Sequence, residues 1–213
     1  MIAPCGKIFA VGDVHGCVDK LRTLLGMIKL DWARDMMVFL GDYVDRGPDS
    51  RGVIELLLDL KKRHGDRLVF LKGNHEWMFM QFLKGEEQDF FLQNGGIETL
   101  ESYSLENGKT DIPQSHLDFL DNLDLYFETQ DYIFVHAGLR SNIPISEQSP
   151  EDLLWIRSPF LRSSHDWGKR VIFGHTPFSV PFIEGNKVGI DTGAVYGGRL
   201  TCLILPDFEF IFS

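Results

Sequence analysis

Cysteine is scarce and unpaired in this 213-residue chain: Cys5, Cys17 and Cys202 form no C-x-x-C pair, and their number is odd. That leaves no disulfide framework and no cysteine-built structural zinc site, so buried or inert thiols in a reducing compartment are expected. Long apolar runs are missing too. None approaches the roughly 18 residues a membrane span needs, and no basic stretch leads into an apolar segment with a small-residue cleavage site near Met1. The expectation is a cytoplasmic protein with no membrane partner. Positive charge is also short, with 21 Lys and Arg against 31 Asp and Glu, a net −10. Without a basic excess, non-specific binding to nucleic acid is not expected. The same deficit means that any phosphorylated substrate must be drawn by something more local than net charge. No internal repeat or low-complexity tract is visible.

What is present begins with alternating patterns. Lys7 to Val11 is a short apolar run, after which Val18, Leu21, Leu24, Leu25 and Ile28 recur at helical spacing. Met36 to Leu40 is a second run, followed by a helical stretch through Val53, Ile54, Leu57 and Leu58 that ends on Lys61-Lys62-Arg63. Leu68 to Leu71 is a third, and Glu76 to Leu83 reads as helix again. Strands alternating with helices imply a parallel sheet with helical crossovers, hence an α/β fold. Residues 84–130 are acidic and mostly helical in pattern, and are expected to form an insertion within one domain spanning 1–213. Beyond them, Tyr132–Val135, Val171–Phe173, Lys187–Ile190, Leu200–Leu205 and Phe208–Phe212 read as strands of a second, mixed or antiparallel sheet.

The apolar runs stop at Gly and polar clusters: GDVHG (12–16), GDYVDRG (41–47), GNHE (73–76), HAG (136–138), GHT (174–176) and DTG (191–193). Ligands bind at the carboxyl ends of strands in open α/β sheets, so several such clusters at one edge point to a site. Asp13, His15, Asp42, Asp45, Arg46, Asn74, His75, Glu76, His136 and His175 then converge. Carboxylates, an amide oxygen and imidazoles together suit borderline divalent metals such as Mn, Fe or Zn. They do not suit Ca2+, which takes oxygen only. Six good ligands exceed what one ion needs, and two ions sharing a carboxylate is the economical solution.

In this order the motifs resemble the calcineurin-like metallophosphoesterases. More narrowly they resemble the PPP family, which includes serine/threonine protein phosphatases and symmetrical dinucleoside tetraphosphate (Ap4A) hydrolases. The matching blocks run from residue 12 to residue 193. The resemblance implies a calcineurin-like αββα sandwich of two mixed sheets flanked by helices, with a dimetal site at the strand C-terminal ends. It implies that Asp13, His15 and Asp42 hold one ion, most simply Mn2+, and that Asp42 bridges to a second completed by Asn74, His136 and His175. It further implies direct attack of a metal-bridging hydroxide on phosphorus, with His75 as general acid oriented by Asp45. Arg46 and Arg157 would hold the phosphoryl oxygens, which supplies the local attraction that net charge does not.

The leading expectation is a phosphoprotein phosphatase of the compact bacterial and phage type, acting on phosphoserine or phosphothreonine. A symmetrical Ap4A hydrolase is the alternative within enzymes, and a non-catalytic metal-binding scaffold the alternative outside them. His64, His116 and His165 read as surface or capping residues, and Glu76 as an anchor for the helix that follows it. Asp191 is expected to brace the site or its turn, Tyr196 to line the cleft, Cys17 to be packed, and Trp77, Phe79 and Phe82 to lie in the core.

Overall fold

The computed structural model describes residues 6–105 and 107–213; Cys5 lies outside them. Among the described residues, ten strands form two five-stranded sheets. In the first, β1 (Ile8–Val11), β2 (Met36–Phe39) and β3 (Leu68–Phe70) run parallel, joined by α1 (Val18–Met27) and α2 (Ser50–His64). α3 (Asn74–Leu83) leaves β3, and α4 (Gln88–Phe91), α5 (Ile97–Ser102) and α6 (Gln114–Asp121) follow. The second sheet takes β4 (Tyr126–Glu128), β5 (Tyr132–Val135), β6 (Arg170–Phe173), β7 (Phe182–Glu184) and β8 (Lys187–Gly189), with α7 (Pro150–Trp155) and α8 (Ser158–Leu161) between β5 and β6. Its order is β4-β5-β6-β8-β7, parallel at the centre and antiparallel at both edges.

The period-two rule shows how the layers stack. Ile8, Ala10, Met36 and Val38 turn one way and meet Phe134, Ile172 and Val188 of the other sheet. Phe9, Val11, Met37 and Phe39 turn the other way and meet Leu21, Leu24, Val53, Ile54 and Leu57 of α1 and α2. On the far side, Ile133, Val135, Val171 and Phe173 pack on Leu153 and Phe160 of α7 and α8. This is the αββα sandwich. Strands buried on both faces read as unbroken apolar runs, which is why they stand out in the sequence. At about 1.5–3 kcal/mol for each large apolar side chain removed from water, these faces dominate the stabilisation. The helix ends are marked locally as well. Asp49 caps α2 by accepting from the Gly52 amide at 2.7 Å, and Gly65 ends it with φ +52.

Three expectations change here. The last two strands, β9 (Thr201–Leu205) and β10 (Glu209–Phe212), join the first sheet, β9 lying antiparallel against β1 with Ile8 opposite Leu205. β1 needed a partner on its second edge, and β9 is buried throughout, so it can face both the sandwich interior and the helices. His116 is buried and hydrogen-bonded to the Tyr103 hydroxyl at 2.8 Å, because α6 turns His116, Phe119 and Leu120 inward. His64 and His165 are half-buried, stacked on Trp32 and edge-on to Trp167. Residues 84–130 are helical only in part, since Tyr126–Glu128 is the edge strand of the second sheet. Cys202 is buried and its thiol pushed up to about 12 by that burial, an inert group as expected, while Cys17 is half-buried just before α1. Phe79 is fully buried; Trp77 and Phe82 only partly. Among the described residues no helix is long and apolar enough to cross a membrane.

Candidate dinuclear metal centre

The strands β1, β2, β3, β5, β6 and β8 all deliver their carboxyl ends to one edge, and each end carries a polar side chain into it. The loops there are tied to one another. Val14 and His15 donate amides to the Asp42 carbonyl at 3.0 and 2.8 Å, and Gly174 donates to the His136 carbonyl at 2.8 Å. Gly41 and Gly73 pass so close that a Cβ on Gly41 would sit 2.6 Å from the Gly73 nitrogen, which only glycine permits. Five non-glycine residues here have left-handed backbone: His15 (φ +45), Asp42 (+52), Asp45 (+71), Arg46 (+68) and His175 (+63). Each costs roughly 1–2 kcal/mol relative to ordinary backbone. Such cost, gathered in one place, marks a site where side-chain placement outweighs local stability.

Two clusters of ligand atoms share one residue. His15, Asp42 and His75 place ligand atoms within 4.8 Å of one another, and so do Asp42, His136 and His175. Asp42 Oδ2 lies 3.4 Å from His15 Nε2, and Oδ1 lies 3.4 Å from His136 Nε2. Its carboxylate thus spans both groups. Burial opposes its ionisation, yet the imidazoles of His136, His75 and His15 hold Asp42 well below the usual carboxylate range. His136 Nδ1 donates to the Leu40 carbonyl at 2.9 Å, so a neutral ring turns a bare Nε2 toward Asn74 Oδ1, also at 2.9 Å. Burial pushes His136 down, and pushes His175 down to about 2 with help from His136 and Arg157, so both rings are neutral near pH 7. His15 repeats the arrangement, with Nδ1 donating to the Val44 carbonyl at 2.8 Å. Burial is the largest influence and lowers its pKa, but the hydrogen bond and charge of Asp42, with the Val44 carbonyl, together outweigh it and the net shift is upward.

Carboxylate, amide and imidazole acceptors crowd together here, and a cation placed among them satisfies several at once. Asp13 adds to the case. It is buried beside Asp191 and Asp42, and burial with those charges raises its pKa. One oxygen accepts the His175 amide at 2.9 Å, while Oδ1 is buried without a partner. Asp13 lies outside both three-residue clusters. The mixed oxygen and imidazole donors therefore fit a pair of borderline divalent ions.

His75 belongs to the first cluster but is differently held. Its Nδ1 meets Asp45 Oδ2 at 2.6 Å, which turns Nε2 toward the other groups. Burial pushes Asp45 up to about 8 and His75 down to about 3. Both shifts reflect one fact: a dry site resists net charge, which disfavours an ionised carboxylate and an imidazolium alike. Asp45 Oδ1 accepts from Thr99 Oγ1 at 2.7 Å, and the Asp45 amide donates to Thr99 Oγ1 and Ser50 Oγ at 2.8 and 3.1 Å. Thr99 sits on α5, inside the segment read from sequence as an insertion. The neighbouring Gly95 (φ +98) receives the Arg46 amide at 2.9 Å. Thr99 and Gly95 carry no motif, and their part here is invisible in sequence.

Arg46 Nη1 donates to His15 Nε2 at 2.9 Å, and its guanidinium lies 5.7 Å from the centre of the Tyr196 ring. Tyr196 is 62% exposed. Lys20 anchors its loop by donating to the Ala194 and Gly198 carbonyls. Arg157 is exposed and close enough to depress both His75 and His175. Glu76 does more than start α3. Its two oxygens accept the amides of Asp42, Tyr43, Val44 and Gly73 at 2.7–3.2 Å, fastening the GDYVDRG loop to the GNHE loop. Burial pushes it up to about 7 against those donors. Asp191 accepts the Gly193 amide at 2.9 Å, the turn role expected.

Thr99→Val should leave metal content unchanged and lower turnover of substrates with poor leaving groups about tenfold, since Asp45 loses a buried donor worth about 1–3 kcal/mol. Thr99→Ser should restore turnover. Equal loss on good and poor leaving groups would assign Thr99 to packing alone.

The family model for calcineurin-like phosphoesterases matches residues 6–208. A bis(5'-nucleosyl)-tetraphosphatase PrpE [asymmetrical] of Anoxybacillus flavithermus is 29% identical, the match covering 94% of this chain and 91% of that protein. The protein of the same description from Oceanobacillus iheyensis is also 29% identical, covering 96% and 91%. Among solved structures, a putative diadenosine tetraphosphatase superposes with a TM-score of 0.77 at 24% identity, covering 99% of this chain and 95% of that one. A serine/threonine phosphatase from Saccharomyces cerevisiae superposes with a TM-score of 0.64 at 19% identity, covering 99% and 79%.

Proposed function

The chain belongs to the calcineurin-like phosphoesterase family, and on that premise we propose that it hydrolyses dinucleoside tetraphosphates asymmetrically, with a pair of divalent ions. The metallophosphoesterase class follows from the family. The substrate is our reading, and one observation carries it: the sequence relatives described as asymmetrical tetraphosphatases align along nearly the whole chain. The likeness to protein phosphatases is one of fold, at 19% identity for the yeast enzyme. The reading therefore moves from phosphoserine and phosphothreonine to a phosphoanhydride. It also moves from the symmetrical to the asymmetrical cut, which divides four phosphates into one and three.

Asp13, His15 and Asp42 would hold one ion, and Asp42, Asn74, His136 and His175 the other. When bound, such a pair neutralises phosphoryl charge and makes ionised water available near neutral pH. Mn2+ is the ion proposed, with Fe and Zn suited to the same donors. Arg46 and Arg157 present planar donor pairs that would hold non-bridging phosphoryl oxygens. As the water oxygen joins phosphorus and the bond to the leaving oxygen breaks, His75 Nε2 would give that oxygen a proton. Asp45 keeps the ring oriented and balances the charge it carries while protonated.

The test is turnover of diadenosine tetraphosphate, a phosphoserine peptide and an aryl phosphate by Mn-loaded protein. Release of equal AMP and ATP, with a kcat/KM well above that for the peptide, is expected. Release of ADP alone would restore the symmetrical reading, and preference for the peptide the phosphatase reading. No turnover of any of the three would favour the scaffold.

A further inference from the structure

We infer that the groove between α3, α4 and α7 is a nucleobase subsite, an assignment that rests on the dinucleotide reading above and names what seats the base. The groove encloses about 480 Å³ and is walled by Trp77, Phe90, Leu154 and Trp155, with Glu87 and Glu151 at its rim. A volume in this range suits a small aromatic ligand.

Its position ties it to the phosphate site. The Trp155 ring centre lies 6.3 Å from that of His175, so the groove opens beside the second ligand cluster. Trp155 also ends α7, two residues before Arg157, so the aromatic wall and the phosphate-binding arginine sit on one short stretch of chain.

The chemistry of the lining favours a base over other occupants. Trp77 meets Trp155 edge-on at 6.2 Å, and Phe90 lies tilted against it at 5.9 Å, giving aromatic surface in two orientations. Phe90 is 43% exposed, so core packing does not account for it. The charged groups lining the groove are carboxylates. They accept N–H from an exocyclic amine of adenine, guanine or cytosine, and they repel phosphate. The groove thus admits the uncharged aromatic end of a nucleotide and leaves the phosphates to the arginines, which fixes the direction in which the substrate lies. Stacking on such surfaces tolerates any base, so discrimination among nucleobases is expected to be weak.

The test compares AMP with ribose 5-phosphate, which lacks only the base, by calorimetric binding to the Mn-loaded full chain. Wild type should bind AMP about tenfold more tightly, a usual size for one stacked base. Phe90→Ala should remove most of that preference without altering ribose 5-phosphate binding, and Phe90→Tyr should restore it. Equal binding of the two ligands by wild type would overturn the subsite, as would an AMP preference that survives Phe90→Ala. Binding needs no turnover, so the two readings fail separately. A wild type that prefers AMP but leaves diadenosine tetraphosphate intact refutes the substrate and keeps the subsite. One that cleaves it while binding both ligands alike does the reverse.

Discussion

Asp42→Asn is expected to strip both divalent ions from the purified protein at once and to lower kcat/KM on the order of 10⁴-fold or more, about 5 kcal/mol of transition-state stabilisation. The reason is its double duty. One carboxylate oxygen faces His15 and the other His136, each at 3.4 Å, and Asp42 is the residue common to both ligand clusters. Asparagine keeps the shape and one carbonyl oxygen but loses the charge that two neighbouring dications require. It also turns an N–H2 toward one imidazole. Metal analysis after gel filtration, with His136→Asn as the comparison, reads the outcome directly. The His136 variant should keep more of the first ion than the Asp42 variant does. Two ions retained by Asp42→Asn, or one held as tightly as in wild type, would remove Asp42 from the bridging position.

His75→Asn should act on chemistry and not on metal content. General acid catalysis is worth roughly 10²–10⁴-fold where the leaving oxygen needs a proton. An alkyl phosphate therefore loses turnover near the top of that range. An aryl phosphate, whose leaving group is stable as an anion, loses much less. A phosphoanhydride also leaves as a stabilised anion, so diadenosine tetraphosphate should resemble the aryl ester. Asparagine preserves a polar contact to Asp45 but has no ring nitrogen to reach the leaving group. Equal losses across the three substrates, with both ions still bound, would assign His75 to positioning. Loss of the first ion would make it a ligand, a role its place in the His15–Asp42 cluster makes worth measuring.

How far the sequence reaches can be judged from particular residues. The strands were legible because β1, β2, β5 and β6 are short apolar runs, and because each ends in a Gly followed by polar residues or directly in a His; their stacking as a sandwich came from the family resemblance. Those ends named Asp42, His15, His136 and His175 before any geometry was known, and the structure brings them within a few ångströms. The same local signal cannot say which sheet a strand joins. Thr201–Leu205 is apolar on both faces and would fit either, and only the open edge of β1 decided it. Nor does helical periodicity reveal that His116 points inward, because a half-polar helix can turn either way until its neighbours are placed.

Local chemistry, then, was determined by the chain alone: the alternation of apolar and polar positions, the glycines that permit tight strand ends, and the donor types that favour a borderline dication. Tertiary structure decided what depends on residues far apart in sequence. Thr99 reaches Asp45 across 54 positions, Glu76 gathers the amides of a loop more than 30 residues earlier, and Phe90 and Trp155 meet from separate helices. Hydrophobic spacing records whether a side chain is buried. It carries no record of which distant group will be waiting there, since that is set by how the layers close on one another.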